Sequence, residues 1–270
     1  MPRTVTPKPR QSLGQNFLID DNIARNIARD LHLTKDNVLL EIGPGRGALT
    51  KHLAGKAKHL IAVEIDNRIV DDLRKEYSSA DVTVLHQDFL KLDLAEWSKK
   101  FRSKIRLVGN IPYHLTSEII FKAYEARKYV SDLTIMVQRE VARRIVARPA
   151  NKIYGILSVL TAFYGGAEIL FTVSPNCFFP KPKVESAVLS IELHDPLPYG
   201  VDEKIFVTLV RTAFGKRRKT LQNSLKYLPY SEDQLDRFFS LIPEHLKSRP
   251  EQLGIEQFII LTEKISEVIA

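Results

Sequence analysis

Val38-Leu39-Leu40-Glu41-Ile42-Gly43-Pro44-Gly45-Arg46-Gly47 is a short apolar run that breaks into a loop with glycine at every second position. The run reads as a β-strand, and the glycines let the backbone come close to a bound molecule. A helical stretch is expected from Ala48, so the loop would also face the unpaired N–H groups of a helix start. Strand, glycine loop and helix in that order make a nucleotide-binding turn.

Gly43-x-Gly45-x-x-Ala48 equally satisfies the dinucleotide fingerprint. The loop alone therefore leaves two enzymes open, one using nicotinamide and one using S-adenosyl-L-methionine. Three further apolar runs narrow the choice. Leu60 to Val63 ends at Glu64-Ile65-Asp66, where an acidic side chain would meet ribose hydroxyls. Val82 to Leu85 ends at Gln87-Asp88-Phe89, where Asp88 could accept from an adenine amine. Ile105 to Val108 ends at Gly109-Asn110-Ile111-Pro112-Tyr113. Each run thus finishes on a glycine or a polar residue, which is where ligands bind in open α/β sheets.

The last of these loops carries the chemistry. Asn110 offers an amide oxygen, and Pro112 has no backbone N–H, so the loop is biased toward accepting hydrogen bonds. Tyr113 supplies a flat ring for a base. Acceptors at Asn110 and at the carbonyl of Ile111 favour a more tetrahedral amine nitrogen with a freer lone pair, which assists a nucleophile without a strong base. A hydride transfer has no obvious use for such a pocket, so the loop favours S-adenosyl-L-methionine.

Further strands are expected at Leu133 to Val137, Ile169 to Val173 and Ala187 to Leu193. Met1 to Arg10 reads as an extended basic arm, and Phe17-Leu18 as an apolar lead into a helix capped by Asp20 or Asp21. Thr116 or Ser117 can cap the helix after Tyr113. Arg139 and Arg143 would share one helix face, Arg144 and Arg148 another. Phe178 and Phe179, with Pro180 and Pro182, would form a stiff aromatic rim. Pro196, Pro198 and Gly200 mark a boundary, and a helical pattern follows. There Arg211, Lys216, Arg217, Arg218, Lys219 and Lys226 lie in a stretch without an acidic residue between Glu203 and Glu232, a one-signed run that attracts phosphates. The expected organisation is a mobile arm over 1–14, a sheet domain over 15–197 and a helical domain over 198–270.

A chain of 270 residues with 44% hydrophobic and 27% charged residues is an ordinary globular composition, and a formal charge of +8 permits a polyanionic partner. One cysteine, Cys177, excludes an internal disulfide framework, and the seven histidines lack metal-ligand spacing, so no metal is expected. No apolar run is long enough for a membrane span, and the first ten residues lack a signal-peptide core, so the cytoplasm is expected. Nothing points to an obligate dimer.

Taken together, Gln15-Asn16-Phe17-Leu18, Glu41 to Gly47, Glu64-Ile65-Asp66, Asp88-Phe89, Asn110-Ile111-Pro112-Tyr113, the Phe178 to Val184 loop and Ala213-Phe214 through Asn223-Ser224-Leu225 resemble the ribosomal RNA adenine dimethyltransferases. The match runs from about Gln15 to Leu225. Its helical tail, with Arg217-Arg218-Lys219, favours the small-subunit branch over the large-subunit branch. The resemblance implies a Rossmann-like class I methyltransferase fold, an α/β architecture with a seven-stranded, mostly parallel sheet and a small C-terminal helical domain. It implies dimethylation at N6 of two adjacent adenosines in the 3′-terminal hairpin loop of 16S rRNA, late in small-subunit assembly. It places Asn16, Leu18, Gly43, Gly45, Glu64, Ile65, Asp88, Phe89 and Asn110 at the cofactor, with Glu64 on the ribose and Asp88 on the adenine amine. Asn110, Ile111, Pro112 and Tyr113 would serve the target base, Phe178 would stack on its other face, and Arg143, Arg144, Arg211 and Lys216 to Lys219 would hold RNA.

Overall fold

The computed structural model describes residues 8–10, 13–216 and 218–269; Arg217 and positions 1–7 and 11–12 of the expected arm lie outside them. The chain forms two compact units. One holds the residues up to Ala142 with Glu168–Asp195, the other Arg143–Ala167 with the chain from Pro196 onward.

The first unit begins with β1 (Phe17–Leu18), α1 (Asp21–Asp30), β2 (Val38–Ile42), α2 (Thr50–Leu53), β3 (His59–Glu64), α3 (Asn67–Glu76) and β4 (Val82–His86). It continues through α4 (Leu94–Phe101), β5 (Ile105–Asn110), α5 (Thr116–Glu125) and β6 (Val130–Gln138). Next in chain order come α6 (Arg139–Ile145), then α7 (Ile156–Tyr164), which belongs to the second unit, and then β7 (Gly165–Val173), β8 (Phe178–Phe179) and β9 (Ser186–Leu193). Seven strands make one sheet in the order β4-β3-β2-β5-β6-β9-β7. The pairs β2–β3, β3–β4, β2–β5 and β5–β6 are parallel and β6–β9 is antiparallel, as the expected methyltransferase fold requires. Every residue of β2 is buried, as in a parallel strand covered on both faces.

Strand order reverses at β2, whose neighbours are β3 on one side and β5 on the other, so a crevice opens at their C-terminal ends. Close packing there dictates one glycine. A Cβ on Gly109 would lie 2.5 Å from the carbonyl oxygen of Ile42, so a larger residue would push β5 away from the end of β2.

Local details settle one open choice of the sequence-based expectations and depart from them in three places. Of the two candidate caps for α1, Asp20 does the work, accepting from the N–H groups of Asn22 and Ile23. Neither Thr116 nor Ser117 caps α5. A 3-10 turn over Tyr113–Leu115 leads directly into it, and the Thr116 hydroxyl donates to the Tyr113 carbonyl at 2.9 Å. The helix after the glycine loop, α2, spans only Thr50–Leu53, so the loop's own backbone rather than a helix dipole faces the crevice. Finally, Phe17-Leu18 is more than a lead into α1, because β1 pairs antiparallel with β8, placing Phe17 opposite Phe179 and Leu18 opposite Phe178.

The second unit continues with α8 (Glu203–Gly215), α9 (Leu221–Leu225), α10 (Glu232–Ser240) and α11 (Ile255–Ile269). Its core is aromatic: Phe163 stacks on Phe206 at 3.9 Å between centroids, and Phe214 on Phe258 at 5.9 Å. That core corrects the expected boundary. Residues 143–167 belong with the C-terminal helices, because α7 buries Val159, Leu160 and Phe163 and the Tyr164 hydroxyl donates to Glu203 at 2.9 Å. The arginine pairing changes too. With α6 ending at Ile145, Arg148 lies beyond the helix and cannot share a helical face with Arg144, and Arg139 is ion-paired with Glu185.

Candidate active site

The crevice at the end of β2 is an open cleft within the first unit, with about 1020 Å³ of empty space when its solvent-open mouth is counted. All twelve of the first-unit residues expected at the cofactor or target base, Phe178 aside, line it: Asn16, Leu18, Gly43, Gly45, Glu64, Ile65, Asp88, Phe89, Asn110, Ile111, Pro112 and Tyr113. The loops after β2, β3, β4 and β5 supply most of the wall, and the segment before β1 closes it.

The glycine loop packs against β1. Gly45 has φ +54°, in the left-handed region, and a Cβ there would meet the Phe17 ring at 3.0 Å. The Arg46 guanidinium stands over the same ring, 4.5 Å from the Phe17 centroid.

Two carboxyl groups at the end of β3 have separate duties. Asp66 is fully buried and engaged by Arg68 and by Gln15 Nε2 at 3.1 Å; the Arg68 guanidinium holds its pKa down, at about 2. It anchors the segment before β1. Glu64 faces the cleft instead, accepting from the N–H of Gly45 at 2.9 Å and of Asp66 at 2.8 Å. Burial raises its pKa, while those backbone donors oppose the rise. A carboxylate oxygen can accept more than one hydrogen bond, so Glu64 retains capacity for ribose hydroxyls. Asp88 accepts from the N–H of Leu90 at 2.9 Å and so holds the turn over Phe89–Lys91. Lys122 supports the same turn by donating to the carbonyls of Leu90 and Leu92 at 3.0 and 2.7 Å.

Asn110 is oriented by its surroundings. Its Nδ2 donates to the Asn16 carbonyl at 2.8 Å. A carbonyl can only accept, so the nitrogen end of the amide must face it and Oδ1 is left as the acceptor on the other side. Tyr113 is half-buried, and its hydroxyl is 2.6 Å from Ser186 Oγ, which fixes the ring's tilt; burial raises its pKa and the Ser186 contact partly offsets this.

Phe178 sits apart from Phe179 in the expected aromatic rim. It is only 3% exposed and packs in the apolar cluster with Phe17, Leu18 and Val188, whereas Phe179 is 54% exposed. The ring that presents an open face beside β1 is therefore Phe179.

Glu41 went unassigned in the sequence, although an acid inside an otherwise aliphatic buried strand was a legible signal. It is 2% exposed, lines the cleft, and its Oε2 has no hydrogen-bond partner among the described residues. Burial pushes its pKa up to about 8, Thr50 opposing and the charge of Glu64 adding. An unpartnered buried carboxyl oxygen implies a polar group or cation yet to be supplied. With Glu64 and Asp88, it gives the cleft a set of acceptors suited to a nucleoside bearing hydroxyls, an amine and positive charge.

The expected RNA contacts lie elsewhere. Arg143, Arg144, Arg211, Lys216, Arg218 and Lys219 are exposed and all belong to the second unit, although some seventy positions separate Arg143 from Arg211. Among the described residues no group of His, Cys, Asp and Glu could hold a metal, and no helix is long and apolar enough to cross a membrane.

Known proteins resemble this chain in sequence and in fold. The chain is 44% identical over 255 residues to a protein of Parabacteroides distasonis named ribosomal RNA small subunit methyltransferase A, covering 94% of this chain and 93% of that one. It is 39% identical over 266 residues to the protein of that name from Clostridium botulinum, covering 97% and 96%. The fold matches a dimethyladenosine transferase from Plasmodium falciparum with a TM-score of 0.80 at 22% identity, over 93% of this chain and 98% of that one. It also matches the 23S rRNA methyltransferase ErmE with a TM-score of 0.70 at 27% identity, over 93% and 100%. The family model described as ribosomal RNA adenine dimethylase matches residues 7–263, and the chain belongs to that family.

Proposed function

We propose that the cleft binds S-adenosyl-L-methionine and that the protein uses it to dimethylate N6 of two adjacent adenosines in the 3′-terminal hairpin loop of 16S rRNA. The substrate is the small ribosomal subunit late in its biogenesis, and the protein works in the cytoplasm as a monomer. When bound, the cofactor supplies an electrophilic methyl group. Glu64 would hold its ribose and Asp88 its adenine amine, with Asn16, Leu18, Gly43, Gly45, Ile65 and Phe89 enclosing it. Glu41 would face its positive charge.

The observation that carries this reading is the orientation of Asn110, whose amide nitrogen is occupied by the Asn16 carbonyl. Its oxygen and the Ile111 carbonyl would accept the two N–H bonds of the target amine and leave the nitrogen lone pair directed at the methyl group. Tyr113 would stack on the base, and an aromatic ring of the Phe178-Phe179 pair would meet its other face, Phe179 being the one already open. A hairpin loop suits this pocket, because its bases leave the stack at lower cost than those of a duplex. In the second unit, Arg143, Arg144, Arg211, Lys216, Arg217, Arg218 and Lys219 would bind phosphates.

Labelled methyl transfer to small subunits lacking the modification, beside large subunits and naked 16S rRNA, tests the proposal. The expected product is N6-dimethyladenosine in the small-subunit hairpin. Label confined to large-subunit RNA would replace the small-subunit assignment with the large-subunit one.

A further inference from the structure

The most exposed large apolar side chain among the described residues is Tyr227, just past α9 in the second unit, at 68%. Its mounting is rigid. The Tyr227 N–H donates to the Ser224 carbonyl at 3.3 Å and the Leu228 N–H to the Leu225 carbonyl at 3.0 Å. Ser224, Leu225 and Leu228 around it are buried. A ring that projects from a fixed turn loses little conformational freedom when something packs on it.

Its neighbours are cationic. Lys216 Nζ stands 5.3 Å from the ring centroid, and Ser224 Oγ donates to the Lys216 carbonyl at 3.5 Å, tying α9 to the basic turn that follows α8. Arg218, Lys219 and Lys226 are exposed, and no acidic residue occurs from Lys204 to Ser231. An acidic peptide would be satisfied by the cations and leave the ring idle. An apolar protein surface would use the ring but strip water from the lysines without return. A single-stranded nucleic acid uses both, its phosphates meeting the cations and a base face meeting the ring. A duplex keeps its base faces covered.

We propose that Tyr227 is a stacking platform for an unpaired base of an RNA strand, with Lys216 and its cationic neighbours holding the adjoining phosphates. This rests on the reading of the second unit as RNA-binding and adds the ligand's form, a strand with at least one base free of pairing.

The test is binding of a fluorescently labelled single-stranded RNA oligomer across a salt series, with a duplex of equal length alongside. Tyr227→Ala should weaken single-strand binding about 5- to 100-fold, the range of one lost base–aromatic stack, and leave the slope of log affinity against log salt unchanged, since no charge is removed. Tyr227→Phe should bind like the parent, Tyr227→Leu like the alanine variant, and the duplex should respond to neither. An unchanged melting temperature for Tyr227→Ala would show that the fold is intact. Parent-like binding by Tyr227→Ala, or equal losses in Tyr227→Ala and Tyr227→Phe, would overturn the stacking role. Lys219→Gln separates the two levels of the argument. If it flattens the salt slope while Tyr227→Ala is silent, only the platform fails; if it too is silent, the RNA-binding reading of this turn fails with it.

Discussion

The two units handle charge in opposite ways. In the first, carboxyl groups are buried around a cleft and held by specific donors: Glu64 by the backbone of Gly45 and Asp66, Asp66 by Arg68 and Gln15, with one oxygen of Glu41 left without a partner among the described residues. In the second, cations such as Lys216, Arg218 and Lys219 stand in solvent. A buried acceptor in fixed geometry acts singly and strongly, because water cannot replace its partner. An exposed cation acts additively and is weakened by salt. Single substitutions should therefore be severe in the cleft and graded on the helical surface.

Asn110→Ala should show the largest effect, a loss of about 100- to 1000-fold in single-turnover methyl transfer, the range for removing one preorganised electrostatic partner. Cofactor affinity, measured separately by calorimetry, should fall far less; near-parent turnover would sink the amine-pocket argument. Next come the packing variants. Phe178→Ala should destabilise the protein by about 3 kcal/mol in chemical denaturation, and Gly109→Ala by about 1–3 kcal/mol through its clash with Ile42. Phe179→Ala should leave stability unchanged. A turnover defect in Phe178→Leu with stability retained would return the base-stacking role to Phe178.

Glu41 ties the cleft to pH. Its pKa in the folded protein is about 8 against an ordinary 4.5, so between those values the folded state holds a proton that the unfolded chain has released. Its contribution is thus complete below the lower value and is lost as pH rises toward the higher, at up to about 1.4 kcal/mol per pH unit. Urea midpoints of the ligand-free protein should fall across that window, and Glu41→Gln should remove this part of the slope. A cationic ligand in the cleft should oppose the fall by favouring the charged carboxylate. The smallest effects belong to the second unit: Arg218→Gln and Lys219→Gln should each lower the salt slope of single-stranded RNA binding by about 0.7 and leave methyl transfer at saturating RNA near the parent level.

Much of the first unit was legible in the sequence because its signals are local. An aliphatic run followed by alternate glycines specifies a strand and a loop, and acids or Asn110 at the ends of later runs mark the ligand-binding edge of an α/β sheet. The same locality explains what was missed. Residues 143–167 carry ordinary helix patterning, and only tertiary contacts such as the stacking of Phe163 on Phe206 and the bond from Tyr164 to Glu203 show which unit they complete. Phe178 and Phe179 are identical letters in adjacent positions; pairing with β1 turns one into the core and the other outward, since successive strand residues face opposite sides.

By itself, then, the order of residues determined the sheet's strands, the glycine loop, the acceptor loop from Asn110 to Tyr113 and the acid-free basic stretch, all of which depend on neighbours in the chain. Tertiary structure alone decided which way the Asn110 amide points, that Asp66 is an anchor while Glu64 faces the cleft, that one oxygen of Glu41 has no partner among the described residues, and that Tyr227 shares a patch with Lys216. Each of these is set by a partner distant in sequence or by burial, and neither quantity exists until the chain has folded.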